Sequence, residues 1–207
     1  MQADMHTCRV VTATNLAEFF RDALHGALAD QRLEVDERTE RYVVDMLTLF
    51  ARAERLYQAN ADGRPLKPLA LMLADALEAT SVAGRELALQ RLGDISLFMA
   101  GLFARGFSRR LVDVDYHIAM GGRAYGALAR SHERRRRLEP ARVFAELAAK
   151  FQPLVDALGE IADAAYVFSQ RDILRLYEIW LKTGSARARR LLRRLGVEPA
   201  PVATRPH

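Results

Sequence analysis

The sequence predicts an all-α protein, a single bundle of about seven helices around one central apolar helix. Two observations set the class and a third sets the arrangement. Apolar residues recur three and four positions apart in segment after segment, the period that lines one face of a helix. No segment of useful length alternates apolar and polar residues as a half-buried strand would. Between Glu86 and Arg105, the apolar residues Leu87, Leu92, Ile95, Leu97, Phe98, Met99, Leu102 and Phe103 surround the helix instead of marking one stripe, as a helix covered on all sides requires. Half of the 207 residues are apolar, enough to fill one core of that size.

Residues 1–14 show no helical period and read as an N-terminal arm. Asn15, with Glu18 three residues on, is a capping pair for a first helix to Gln31, whose stripe is Leu16, Phe20, Ala23, Leu24, Ala27 and Leu28. Asp36 caps a second helix with Glu37 and Glu40 at its positive end and the stripe Thr39, Val43, Met46, Phe50, Ala53, Tyr57. Asn60 to Pro65 is a turn, and Pro68 suits the first turn of a third helix with Leu69, Met72, Leu73, Ala76 and Leu77 inward. The central helix follows Thr80 and Ser81, and Gly106 and Ser108 interrupt the chain before a helix from Asp113 to Arg130. A long helix starts at Pro140, and a kink is expected at Pro153, which lacks a backbone donor and clashes one turn back. Ser169 with Asp172 caps a further helix carrying Ile173, Tyr177, Trp180 and Leu181, closed by Gly184. Residues 15–184 thus form the bundle domain. Residues 185–196 are a basic amphipathic helix with Leu191, Leu192 and Leu195 on one side, and 197–207, with three prolines, a disordered tail.

Cys8 is the single cysteine, which excludes a disulfide framework and a multi-cysteine metal site. No apolar run approaches the roughly 18 residues of a membrane span, and the polar N-terminus has no signal-peptide core, so a cytoplasmic location is expected. The net charge of +5 is unevenly spread: residues 1–100 carry 11 basic and 15 acidic groups, residues 101–207 carry 20 and 11. Such asymmetry points to nucleic acid, an anionic membrane or an acidic protein as partner. A GC-rich genome offers another origin, because 28 of the basic residues are arginine and only Lys67, Lys150 and Lys182 are lysine.

Asp94 is the most informative polar residue, since a carboxylate in the most apolar helix must be paired, hydrogen-bonded or protonated. Two readings stand. In one, Asp94 and Ser96 bond backbone or an arginine such as Arg123 and fix helix packing; in the other, Asp94 with Tyr116, Arg123 and Tyr125 lines a ligand pocket between helices. Asp22 with His25 and Asp113 with His117 are spaced to share helix faces, but no Glu-x-x-His occurs, and neither a metal nor a cofactor is expected. Nor does the sequence hold a Gly-x-Ser-x-Gly elbow or a glycine-rich phosphate loop, so no catalytic residue is assigned. Ala119, Gly122, Gly126 and Ala129 fall on one smooth face, suited to close backbone approach in the core or across a homodimer interface. Arg187, Arg189, Arg190, Arg193 and Arg194 surround the leucine stripe of the last helix and are expected to point outward as an anion-binding surface.

The segments Leu92-Gly93-Asp94-Ile95-Ser96-Leu97-Phe98, Leu111 to Tyr116 and Leu176 to Ser185 resemble those of a bacterial group of helical proteins that carries no assigned activity. The resemblance covers most of the chain after Leu92. It implies a bacterial cytoplasmic protein and brings no catalytic residues. The function expected from the residues is that of a non-enzymatic interaction or regulatory protein, self-associating, with its basic C-terminal helix offered to an acidic partner. The alternatives are a nucleic-acid binder that reads the phosphate backbone and a bundle enzyme or sensor with a ligand or metal near Asp94.

Overall fold

The computed structural model describes residues 13–59, 67–103, 114–163 and 170–198. Among them are nine helices: α1 (Ala13–Gln31), α2 (Glu37–Ala59), α3 (Leu69–Glu78), α4 (Val82–Leu102), α5 (Val114–Arg134), α6 (Leu138–Ala149), α7 (Phe151–Asp163), α8 (Gln170–Thr183) and α9 (Ala186–Arg194). The described residues contain no strand. Cys8, the turn at Asn60 to Pro65, the Gly106 and Ser108 interruption, Asp113, the Ser169 cap and the tail beyond Glu198 lie outside the described residues.

Local chemistry sets the helix boundaries. Asp36 accepts the Arg38 N–H at 2.9 Å ahead of α2, and the Ser81 hydroxyl accepts the Gly84 N–H at 3.0 Å ahead of α4. α1 begins two residues before the expected Asn15 cap. The chain reverses between α5 and α6 at Arg136, whose φ of +56° lies in the left-handed region. The long helix expected from Pro140 is two helices that meet at Lys150, because Pro153 supplies no N–H for the carbonyl one turn back. This division is one reason the helices number more than the expected seven.

The helix expected to be surrounded is surrounded along only part of its length. α4 packs on α3, α5 and α7, and from Leu92 to Gly101 most sides of it are buried, with Asp94 and Phe98 half-buried on the remaining one. Its first half is one-sided, with Leu87 67% exposed. α5 is as central, lying against α4, α6, α7 and α8. Gly93, Gly101 and Gly121 allow these contacts: a Cβ on Gly93 would run into the Tyr125 ring, on Gly101 into Leu158, and on Gly121 into Phe151. One core joins α1 to α7, and a smaller cluster of Leu176, Ala188, Leu191 and Leu192 joins α8 to α9. Val197, expected in the tail, donates its N–H to the Leu192 carbonyl at 2.8 Å and packs on this second cluster.

Candidate functional site

Asp94 sits where α2, α4 and α5 meet. The hydroxyls of Tyr42 and Tyr125 both donate to its Oδ1, at 2.6 and 2.8 Å, and Gln90 Nε2 donates to the Tyr42 hydroxyl at 3.0 Å. Tyr125 is fully buried, and its ring has room only because the residue before Asp94 is Gly93. Phe144 of α6 packs on both tyrosines, at ring separations of 5.3 and 5.7 Å, and Phe151 of α7 packs on Tyr125 at 5.8 Å. Burial pushes the Asp94 carboxyl up to about 6 against the opposing effect of the two hydroxyls, and it pushes both tyrosines above their ordinary range. Five helices therefore converge on one polar point.

Of the residues grouped with Asp94 in the sequence, Tyr125 joins it, and Tyr116 and Arg123 do not. Arg123 is exposed, as is Tyr116 in the first turn of α5, and the partners of Asp94 are tyrosines rather than an arginine. Tyr42 was legible as a residue of the second helix but fell outside its apolar stripe, so its reach to Asp94 follows only from how α2 packs. Asp22 and His25 are exposed, His117 is buried and pushed down to about 4 by desolvation, and among the described residues no group of three His, Cys, Asp or Glu side chains is placed to hold a metal.

The small-residue face of α5 turns mostly toward its own chain. Ala129 is buried, and Gly122 and Gly126 look across to Ala148 on α6. Between the two helices runs an open groove of about 510 Å³ with Gly122, Gly126, Ala145 and Ala148 in its walls. Ala119 is exposed beyond it.

The arginines of α9 are largely engaged within the molecule. Arg187, expected to point outward, is buried: its Nε and Nη2 donate to Asp163 Oδ2 at 2.8 and 2.6 Å, and it lies against α7 where Gly159 leaves space. Burial lowers its guanidinium to about 10, with Asp156 and Glu160 opposing that effect. Asp156 fixes the start of α9 by accepting the Ser185 hydroxyl at 2.6 Å and the Arg187 N–H at 3.1 Å. Arg190 pairs with Glu160 and Arg193 with Glu198. Only Arg189 and Arg194 of the five are both exposed and without an acid partner among the described residues.

Unpaired positive charge also gathers along α5. Arg123, Arg130 and Arg134, separated by seven and four residues, stand on one face of that helix, and Arg85 joins them from the first turn of α4. Among the described residues none of the four has a carboxylate partner, whereas Arg135 and Arg137 approach Glu86 at 3.6 and 3.7 Å. This ridge borders the α5–α6 groove on one side and, on the other, an α4–α5 groove of about 310 Å³. Its period of seven and four is present in the sequence, but which of these arginines lack an acid partner depends on how α4, α5 and α6 pack.

Comparison with protein-family models, with curated proteins and with solved structures finds no match, so the functional reading rests on geometry.

Proposed function

We propose that this chain is a non-enzymatic helical interaction protein that binds an acidic partner through the outer face of α5. The observation that supports the reading is the contrast between two sets of arginines. Three of those on α9 are held by Asp163, Glu160 and Glu198, whereas Arg85, Arg123, Arg130 and Arg134 form no ion pair among the described residues, with Glu133 the one acid that shares the α5–α6 groove with Arg123 and Arg130. Charge of one sign concentrated on one face steers an oppositely charged partner and raises its association rate. The apolar grooves on either side of the ridge offer area that a purely solvated charge stripe would lack.

Self-association at this face has less in its favour. A two-fold contact centred on α5 would set the arginine ridge against its own copy, and like charges facing each other oppose association. A nucleic-acid backbone would satisfy the same charges, with steep salt dependence.

The test is retention on immobilised polyglutamate and on duplex DNA at low and moderate salt. Parent protein is expected to be retained on polyglutamate, and Arg123→Gln/Arg130→Gln/Arg134→Gln to elute early with an unchanged melting temperature. Retention that is equal for parent and variant removes the reading, and retention on DNA alone transfers the face to nucleic acid. Sedimentation at tens of micromolar, an order-of-magnitude concentration for weak dimers, is expected to show a monomer.

A further inference from the structure

We propose that the α4–α5 groove is a binding site for a soluble organic phosphate, held by Arg85, Arg130 and Arg134, with its apolar portion against Val82, Leu89 and Ala127. This rests on the reading of the α5 face as the free basic surface, and it assigns a ligand chemistry to one side of that surface.

Arg85, Arg130 and Arg134 line one groove of about 310 Å³, and none has a carboxylate partner among the described residues; Arg130 also borders the α5–α6 groove, with Nη1 beside Gly126, and its long side chain swings from there to meet the ligand. Arg130 and Arg134 stand four residues apart on α5, a spacing at which like charges repel and a shared anion relieves them. The acids nearby are turned elsewhere. Glu86 accepts the Ser131 hydroxyl at 2.7 Å and faces Arg135 and Arg137, and Glu133 lies in the wall of the other groove. Val82, the first residue of the 21-residue helix α4, lines the groove, so the positive end of that helix dipole adds to the arginines.

The charge selects the anion. A carboxylate occupies one guanidinium fork, whereas a phosphoryl group carries about −1.5 to −2 charges and three acceptor oxygens, which suits several guanidiniums at once. The walls select its other end. Val82 is an apolar side chain left 55% exposed, and with the buried Leu89 and with Ala127 it gives a short apolar surface beside the charges. The volume lies at the lower end of the range for small-molecule sites, about 300 to 1,000 Å³.

Calorimetric titration of the full chain with hexyl phosphate, inorganic phosphate and hexanoate tests the site. Hexyl phosphate is expected to bind saturably at one site, and phosphate and hexanoate about tenfold or more weakly, since each lacks one of the two features recognised. Arg85→Gln/Arg130→Gln is expected to lose about tenfold or more in affinity for hexyl phosphate, and Val82→Asn to reduce the preference for hexyl phosphate over phosphate. Arg189→Gln/Arg194→Gln should bind as the parent does, and melting temperatures should be unchanged throughout. No saturable binding of hexyl phosphate at millimolar concentration, or equal loss in the α9 variant, would overturn the site. Vesicles of phosphatidylcholine with phosphatidic acid are expected not to co-sediment with the protein; co-sedimentation lost in Arg85→Gln/Arg130→Gln would overturn the soluble ligand in favour of a membrane headgroup. Polyglutamate retention without hexyl phosphate binding removes this site and leaves the protein-partner reading, and the converse removes the partner reading and keeps the site.

Discussion

Asp94 shows how much one carboxylate changes with its surroundings. Both tyrosine hydroxyls donate to the same oxygen, so an asparagine carbonyl can accept both bonds without the charge. Because burial raises the folded carboxyl from 3.8 to about 6, the unfolded chain releases this proton first. The contribution of Asp94 is therefore fully present below pH 4 and is lost as pH rises through about 6. Relative to Asp94→Asn, the parent is expected to lose stability between pH 4 and 6, by up to about 1.4 kcal/mol per pH unit, and to stay level above. Denaturant unfolding of both proteins across that range measures it. The difference cancels the opposite trend of His117, which burial holds down to about 4 and which destabilises the fold on acidification. A parent that holds or gains stability relative to Asp94→Asn as pH rises from 4 to 6 would contradict the assignment. At neutral pH, Tyr125→Phe should cost about 1.5 to 3 kcal/mol, the range for a hydrogen bond to a charged group.

At the scale of the helix, the glycines of α5 separate packing from interface. A Cβ on Gly121 would collide with the Phe151 ring and with Ser96, whereas one on Gly122 finds neighbours only at 3.8 Å and beyond. Gly121→Ala is expected to destabilise by about 1 to 3 kcal/mol through overpacking, and Gly122→Ala to stabilise by about 0.5 to 1 kcal/mol through helix propensity. Thermal unfolding distinguishes them, and a destabilised Gly122→Ala would restore close backbone approach at that position. α9 supplies the second case. Asp156→Ala strands the Ser185 hydroxyl and the Arg187 N–H in a buried site and should cost about 2 to 5 kcal/mol. Amide exchange in α9 should then rise well before exchange in α4 and α5; uniform exchange would contradict the local anchor.

These cases mark what the sequence could convey. The helical period, the Asp36 cap, the start of a helix after Ser81 and the bend at Pro153 are local, and they are legible because propensity and hydrogen bonding act within a few residues. The inward turn of Arg187 was not, because Gly159 and Asp163 that receive it are 28 and 24 positions away. The sequence grouping of Asp94 includes one of its partners, Tyr125 of α5, but not Tyr42 of α2, which lies outside the apolar stripe and 52 positions away.

Over the whole molecule, charge is arranged so that the density of arginine in the sequence does not mark the available surface. α9 carries five arginines and gives up three of them to Asp163, Glu160 and Glu198. α5 carries fewer on its outer face and keeps them unpaired among the described residues. Within the screening length of about 8 to 10 Å at ordinary salt, a partner senses that local field rather than the net charge. Amide and arginine Nε resonances, followed while polyglutamate is titrated into the full chain, test this most directly. Shifts are expected to concentrate at Arg123, Gly126, Arg130 and Arg134 with Arg85, and to leave α9 unchanged; shifts concentrated at Arg189 and Arg194, or spread evenly over every exposed arginine, would contradict α5 as the docking face.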